Sequence, residues 1–185
     1  MNRRHFLNRF AVVGAFLLAP KPSLALGGTA PSTGDDAPSF SLLGTRRGGG
    51  EPRRWTLEDL RGQWVALYFY PRDFTSGCTI EAHGFQQMNQ QFEDHGASIV
   101  GISADGVEDH ASFCSSEELD FLLLSDEGGT VSKAYGSWMS PYSLRHTFLI
   151  DPQGKIRKQW TGVRPTGHAK EVFDALRMLQ SDATI

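Results

Sequence analysis

The sequence predicts an α/β fold in which helices cover both faces of a central, mostly parallel β-sheet. Two apolar, β-prone segments, residues 64–70 and 97–103, are each followed by a segment with helical character. Strands that alternate with helices indicate βαβ units. The composition is that of one globular domain, since 39% of the 185 residues are hydrophobic and 21% are charged. These values exclude a disordered, collagen-like or coiled-coil chain.

Local signals predict the elements of the first half of the domain. Residues 39–43 form a short edge strand, and residues 46–54, with three consecutive glycines, form a hairpin-like excursion. Residues 64–70 are a nearly continuous apolar run stopped by Pro71, which is typical of a central strand covered on both sides. Residues 79–95 form a helix. Its apolar residues roughly follow one helical face, and they are Ile80, Phe85, Met88 and Phe92.

The second half alternates between strands and helices and closes with a hairpin and a helix. The predicted elements are strand 97–103, helix 107–118, strand 121–124, short helix 129–135, the hairpin of 145–150 with 156–161, and helix 167–180. This order of elements describes a thioredoxin-like α/β sandwich with a mixed central sheet. The N-terminal strand and the segment 106–136 extend beyond the minimal version of that fold.

The first 25 residues differ from the rest of the chain and predict an export signal. Arg3 and Arg4 precede a short apolar run over residues 11–19, and small residues follow at 23 and 25. The adjacent arginines resemble a twin-arginine signal, with an ordinary secretory signal as the alternative. The apolar run is about half of the roughly 20 residues that a membrane span requires. We therefore expect an exported protein without a stable membrane span, in the periplasm or, in a photosynthetic source, the thylakoid lumen.

The composition along the chain also indicates the domain boundaries. Residues 26–36 are rich in Gly, Pro, Ser, Thr and Asp and predict a flexible linker, and residues 37–182 form the folded domain. The formal charge is −3, and no basic stripe lies beyond the N-terminus, so we expect no nucleic-acid partner. The two cysteines are too few for a disulfide-stapled fold or a four-thiolate zinc site, but they are enough for one redox pair.

Cys78 stands where a strand gives way to a helix, and Thr75 stands three residues before it. The N-terminus of a helix and a nearby cation favour the thiolate form of a cysteine. Unpaired amides of the first helical turn and the Thr75 hydroxyl could stabilise an oxygen that approaches the sulfur. The alternative is a buried, inert thiol. The position at the junction favours a reactive Cys78.

The residues around Cys78 resemble the active-site loop of a peroxiredoxin. The pattern is Pro71-x-x-x-Thr75-x-x-Cys78, within residues 68–82, and it is most similar to the Q subfamily, the bacterioferritin comigratory protein type. The resemblance covers most of residues 35–180. Further matches occur in the order of the family at 36–40, 101–105, 123–126 and 145–151. The resemblance implies a thioredoxin-like fold with the extensions typical of peroxiredoxins.

The resemblance also assigns roles to four side chains. It makes Cys78 the peroxidatic cysteine, Thr75 a hydrogen-bond donor to the peroxide, Pro71 a shield against water and Arg145 the cation beside the sulfur. Each of the last three has a structural alternative: Thr75 as a helix cap, Pro71 as a strand terminator and Arg145 as a solvated charge. Phe74, Trp138 and Met139 leave room for organic hydroperoxides.

The second cysteine departs from the commonest pattern of the subfamily. Many members place the resolving cysteine five residues after the first, where this chain has His83. Cys114, 36 residues after Cys78, is similar to the resolving cysteine of the subset that carries it on the next helix. Its alternative is an inert helical thiol. Because the two thiols lie on different helices, we expect the turn after Gly77 to unwind before a disulfide forms.

The predicted function is a thiol-dependent peroxidase that reduces hydrogen peroxide and organic hydroperoxides through a Cys78 sulfenic acid and a Cys78–Cys114 disulfide. The resemblance implies thioredoxin or a thioredoxin-like protein as reductant and a monomer. We expect no haem, flavin or metal. Two alternatives remain: an exported thiol–disulfide oxidoreductase, although Thr75 replaces the first cysteine of Cys-x-x-Cys, and a non-catalytic domain with a structural disulfide.

Overall fold

A computed structural model describes residues 29–182 of the chain. Within this range, a seven-stranded mixed sheet has the order β2-β1-β5-β4-β3-β8-β9, and β6 and β7 form a separate hairpin. The strands are β1 (Ser41–Thr45), β2 (Arg53–Thr56), β3 (Trp64–Phe69), β4 (Ala97–Ser103), β5 (Leu122–Ser125), β6 (Trp138–Met139), β7 (Tyr142–Ser143), β8 (His146–Ile150) and β9 (Ile156–Thr161). The helices are α1 (Ser76–Asp94), α2 (Val107–Ser116), α3 (Thr130–Ala134) and α4 (His168–Asp182), with a 3₁₀ turn at Glu58–Leu60.

The β3 strand lies inside the sheet, as its apolar sequence predicts. It pairs in parallel with β4 and antiparallel with β8, and all six of its residues are buried. Alternate side chains enter two cores, as the two-residue period of a strand requires. Tyr68 packs with residues of α1, α2 and α4 on one face, and Phe69 packs with α3 and the 3₁₀ turn on the other. The predicted α/β class, with a central mixed sheet flanked by helices, is confirmed. The prediction that this sheet is mostly parallel is wrong, because only β3–β4 and β4–β5 pair in parallel among its six described pairings.

Two predictions about the first half differ from the structure. The predicted edge strand is β1, which lies between β2 and β5 inside the sheet. The chain after the glycine loop folds back as β2 and takes the edge position. The helix α1 begins at Ser76 rather than at residue 79, and Ile80 is 50% exposed while Phe85 and Phe92 are buried. Ile80 therefore does not belong to the buried face.

The hairpin of β6 and β7 has no counterpart in the predicted elements. Each strand has only two residues, too few to show the alternation of a strand. The Trp138 ring packs over Gly129, where a Cβ atom would lie well inside contact distance. Gly129 also has a φ of 70°, so glycine suits this position on both grounds.

Part of the predicted linker, residues 34–36, is held against the folded domain. The export signal (residues 1–25) and the start of the linker lie outside the described residues. Within residues 29–36, Gly34 N donates to Ile156 O over 2.8 Å, and Ile156 N donates to Asp35 O over 3.0 Å. Lys155 forms an ion pair with Asp36 at 2.8 Å. Residues 34–36 are thus held to the start of β9, because this edge strand offers unpaired backbone groups. None of the helices within residues 29–182 has the length and apolarity that a membrane span requires.

Candidate active site

The Cys78 thiol lies in the first turn of α1, directly after the loop that follows β3. Thr75 is the N-cap of α1, with an extended backbone conformation, and Thr79 N donates to Thr75 O over 2.9 Å. The first amides of a helix have no partner within the helix, so they point toward this end of the molecule. Only 1% of the Cys78 surface is exposed. The sulfur is therefore shielded from bulk water and close to the positive end of the helix.

Two side chains donate hydrogen bonds to the Cys78 sulfur. The Thr75 hydroxyl lies 2.8 Å from Sγ, and Arg145 Nη2 lies 3.2 Å from Sγ. The same hydroxyl lies 3.0 Å from Arg72 O. A hydroxyl has one hydrogen, so Thr75 can donate to the sulfur or to the carbonyl, and can redirect its hydrogen when an oxygen approaches. The structure thus brings Arg145, 67 residues away in the sequence, to the sulfur beside Thr75.

Arg145 is oriented by Glu81, a residue that the sequence analysis did not identify. Its Nη1 lies 2.5 Å from Glu81 Oε2, and Glu81 is three residues after Cys78 on the same side of α1. Burial raises the pKa of Glu81 to about 7, although the charge of Arg145 and its hydrogen bond act to lower it. In the sequence, a carboxylate three residues after the cysteine on an otherwise apolar helical face marks Glu81 as unusual. Nothing in the sequence identifies Arg145 as its partner.

Gly77 allows the Arg145 guanidinium to approach the start of α1. A Cβ atom at Gly77 would lie 2.8 Å from Arg145 Nη2. Any larger residue at this position would therefore push the guanidinium away from the sulfur. Pro71 begins the loop directly after Tyr70 and is partly buried. Its rigid ring restricts the loop that leads to Thr75.

Cys114 lies on α2 in a largely apolar environment, where the backbone N–H of Arg47 donates a hydrogen bond to its thiol. It belongs to the same core cluster as Cys78 and is equally buried, with 1% of its surface exposed. Both cysteines are free thiols. Burial, with the negative charge of Asp73 adding to it, raises the pKa of the Cys114 thiol to about 12. The structure therefore places Cys114 near the site but does not make it a nucleophile in this conformation.

A buried polar network joins the Cys78 loop to α2. Asp73 Oδ2 lies 2.7 Å from His110 Nδ1, and the Tyr70 hydroxyl donates to Asp73 Oδ1 over 2.7 Å. Asp73 lies within the loop motif, and His110 lies four residues before Cys114. Neither residue has a role that the sequence alone assigns. No local signal relates them, because they come together only when β3, the loop and α2 are assembled.

The remaining residues considered in the sequence lie at the surface. His83, where many members of the subfamily carry a cysteine, is half exposed, and its Nε2 lies 2.9 Å from Glu117 Oε2. It therefore joins the outer surface of α1 to the end of α2. Phe74 and Met139 are exposed. Phe74 has a backbone φ of 58°, which residues other than glycine rarely adopt.

A shielded cysteine at the start of a helix, with a hydroxyl and a guanidinium donating to its sulfur, is an arrangement suited to the reduction of peroxides by a thiol. The chain belongs to the AhpC/TSA family, whose profile matches residues 33–159. Within the family it is similar to Peroxiredoxin Bcp of Bacillus subtilis, with 35% identity over 152 residues, which cover 78% of this chain and 94% of the relative. These findings do not favour the oxidoreductase or the non-catalytic alternative.

Solved structures place the fold in the same group of proteins. PrxQ of Xylella fastidiosa superposes with a TM-score of 0.74 and 32% identity, covering 83% of this chain and 99% of that chain. The bacterioferritin comigratory protein of Xanthomonas campestris superposes with a TM-score of 0.69 and 31% identity, covering 75% of this chain and 90% of that chain. The resemblance to the Q subfamily and the thioredoxin-like fold of a peroxiredoxin are confirmed.

The comparisons contradict the predicted export to the periplasm or the thylakoid lumen. The Bacillus subtilis relative is matched over 94% of its own length by 78% of this chain. The small unmatched remainder of that relative is too short for a leader like residues 1–25. The N-terminal pattern therefore has no counterpart in this relative, and the prediction of an exported protein is wrong on these grounds. A basic residue pair followed by an apolar run is a short pattern, and it lies outside the described residues.

Proposed function

We propose that Cys78 is the peroxidatic cysteine and that Thr75 and Arg145 stabilise its transition state. The observation that carries this proposal is the pair of hydrogen bonds on one sulfur, 2.8 Å from Thr75 Oγ1 and 3.2 Å from Arg145 Nη2. Fixed donors that surround a reacting atom in a shielded site act without reorganisation cost.

The first step is the attack of the Cys78 thiolate on one oxygen of a hydroperoxide. The S–O bond forms as the O–O bond breaks, so the sulfur is oxidised to a sulfenic acid and the peroxide is reduced. The leaving oxygen departs as hydroxide or alkoxide and takes a proton from solvent to become water or an alcohol. Thr75 and Arg145 donate to the oxygens while charge moves onto the leaving group. Pro71 limits the access of water to the loop.

The second step forms a disulfide between Cys78 and Cys114. The Cys114 sulfur attacks the Cys78 sulfenic sulfur, the S–S bond forms, and the sulfenic oxygen leaves as water after protonation. A thiol whose pKa is raised to about 12 by burial does not react in place. Cys114 therefore reacts after the start of α1 unwinds and the thiol reaches a more polar environment. A dithiol reductant, thioredoxin or a similar protein, then returns both cysteines to thiols.

Hydrogen peroxide and organic hydroperoxides are the proposed substrates, and the protein acts as a monomer. Exposed Phe74, next to Thr75 in the loop, offers apolar surface for the organic part of a larger hydroperoxide. The Xanthomonas campestris protein is described with alkyl peroxide reduction activity, which supports organic substrates for this chain.

A coupled assay tests the proposed function. Purified protein, thioredoxin, thioredoxin reductase and NADPH are mixed with hydrogen peroxide or an organic hydroperoxide, and the loss of NADPH absorbance is followed. We expect peroxide-dependent consumption that continues over many turnovers. An oxidoreductase without peroxidase activity would instead reduce a disulfide substrate and leave the peroxide intact, and that result would refute the proposal.

Amide hydrogen exchange tests the proposed unwinding at the start of α1. Residues 76–84 should lose protection in the disulfide form.

A further inference from the structure

The loop that carries Thr75 and the helix that carries Cys114 are joined by one buried pair. Asp73 is 4% exposed and His110 is fully buried, and their Oδ2 and Nδ1 atoms lie 2.7 Å apart. The second Asp73 oxygen accepts a hydrogen bond from the Tyr70 hydroxyl at 2.7 Å. His110 Nε2 lies 3.2 Å from Leu124 O. Both ring nitrogens of His110 thus lie within hydrogen-bond distance of oxygen atoms, so the ring is held at both ends.

The same loop is held in a strained conformation. Phe74, directly after Asp73, has a φ of 58°, and such a conformation persists for a non-glycine residue only when its surroundings enforce it. Two contacts accompany the Asp73–His110 pair. The Phe74 ring makes an edge contact with Phe113 of α2 at 5.1 Å between centroids, and Asp73 N donates to Asp105 Oδ2 over 3.0 Å. These contacts between the loop and α2 are the surroundings that hold Phe74 in this conformation.

We propose that Asp73 and His110 are positioning residues that hold the Thr75 loop against α2 and thereby set the balance between the peroxide step and the disulfide step. This inference rests on the proposed function of Cys78 and Cys114. With the pair intact, Thr75 stays at the Cys78 sulfur and Cys114 stays buried, so the peroxide step is favoured. With the pair broken, the loop leaves α2 more often, and the thiols meet more readily.

A matched pair of substitutions tests this proposal. His110→Asn keeps an N–H donor near the position of Nδ1, and His110→Leu has nearly the same shape without a donor. Two rates are measured in stopped flow and by quenched mass spectrometry: oxidation of Cys78 by hydrogen peroxide, and formation of the Cys78–Cys114 disulfide after one oxidation. We expect His110→Leu to slow the first about tenfold or more and to speed the second by a similar factor. His110→Asn should restore both rates to within about threefold of the unmodified protein.

Loss of stability alone is separated from positioning by a control and a second variant. His168→Leu removes another histidine, 2% exposed, from α4, where it contacts Thr147 and Glu171. It should leave the ratio of the two rates unchanged. If His110→Leu does not fold, Asp73→Asn weakens the same pair with little change of shape and should move the two rates in the same opposite directions.

Three outcomes would overturn the inference. His110→Leu and His110→Asn could behave alike, both steps could slow together, or His168→Leu could change the ratio equally. Failure of the proposed function has a different signature, because the unmodified protein would then form no Cys78–Cys114 disulfide with hydrogen peroxide. That result would remove the disulfide step and this inference with it.

Discussion

Cys78 and Cys114 are buried to the same extent in one core cluster, yet their polar surroundings differ completely. Each has 1% of its surface exposed. Thr75 and Arg145 donate to the Cys78 sulfur at 2.8 and 3.2 Å. The Cys114 thiol lies in an apolar site where burial and the charge of Asp73 raise its pKa to about 12. Burial alone therefore does not decide which thiol reacts.

This difference between the two thiols determines the order of the two chemical steps. A sulfur with fixed donors can react with a small peroxide inside the folded site, because the donors stabilise charge at the moment it develops. A thiol with a pKa of about 12 is ionised in about 1 molecule in 10⁵ at pH 7, so it reacts only after its surroundings change. The first oxidation needs the folded site, and the second needs its partial opening.

Removal of either sulfur has the largest expected effect. Cys78→Ser should abolish peroxide turnover, because the remaining Cys114 thiol has a pKa raised by burial and has neither Thr75 nor Arg145 at its sulfur. Cys114→Ser should still consume one equivalent of peroxide per chain but should not cycle with thioredoxin. The coupled NADPH assay and a peroxide titration measure the two quantities. Continued cycling of the Cys114→Ser protein at the original rate would show that Cys114 is not the resolving residue.

Removal of one donor should cost less than removal of the sulfur. Thr75→Val keeps the shape of the side chain and loses the hydroxyl, and we expect the rate constant for Cys78 oxidation to fall about 100-fold. Thr75→Ser keeps the hydroxyl and should stay within about tenfold of the unmodified protein. Stopped-flow fluorescence at several peroxide concentrations gives both constants. Equal rate constants for the Thr75→Val and Thr75→Ser proteins would show that the Thr75 hydroxyl does not contribute to the oxidation of Cys78.

Glu81 should make stability depend on pH around the Cys78 site. Burial raises the pKa of Glu81 from 4.5 to about 7, so the folded protein holds this proton more tightly than the unfolded chain. The stabilising contribution of Glu81 to the free energy of unfolding is therefore fully present below pH 4.5 and is lost as the pH rises through about 7. The loss amounts to roughly 3 kcal/mol.

Urea unfolding of the Glu81→Gln protein isolates this effect. Buried His146 and His168 have lowered pKa values, chiefly because of desolvation, and oppose the trend in the unmodified protein. They are present in both proteins, so the difference in unfolding free energy reports Glu81. We expect Glu81→Gln to gain stability relative to the unmodified protein between pH 5 and pH 8. A constant difference across this range would contradict the assignment.

The smallest effect is expected at His83, outside the Cys78 pocket. Its ion pair with Glu117 is partly exposed, with 47% and 24% of the two side chains accessible. Such pairs contribute less than about 1 kcal/mol. His83→Ala should therefore lower the free energy of unfolding by no more than that and leave the rate of Cys78 oxidation unchanged. A large drop in that rate would place His83 within the machinery of the first thiol.

The parts that the sequence predicts well are those with local signals. The β3 strand, the start of a helix near Cys78 and the βα order all follow from short apolar or periodic segments. The pairing of Glu81 with Arg145, 64 residues apart, and of Asp73 with His110, 37 residues apart, has no local signal. These contacts exist only once several elements are packed, and they determine how each thiol is held.

Other differences come from elements that are too short or too ambiguous in sequence. The β6–β7 hairpin has two residues per strand, and β1 becomes an inner strand only because β2 covers it. The N-terminal residues matched a short pattern that a family relative lacks. The errors in these strands and in the N-terminal segment have the same cause, because each prediction there depends on only a few residues.

The most direct test of the account compares the two thiols one at a time. The Cys114→Ser protein contains only Cys78, and the Cys78→Ser protein contains only Cys114. Each is reduced, mixed with hydrogen peroxide at pH 7 and followed by mass spectrometry of the trapped sulfenic acid. We predict that Cys78 is oxidised at least about 10³ times faster than Cys114, because Thr75 and Arg145 donate to the Cys78 sulfur, whereas burial raises the pKa of the Cys114 thiol. Similar rates for the two proteins would contradict the central claim that Thr75 and Arg145 make Cys78 the reactive thiol.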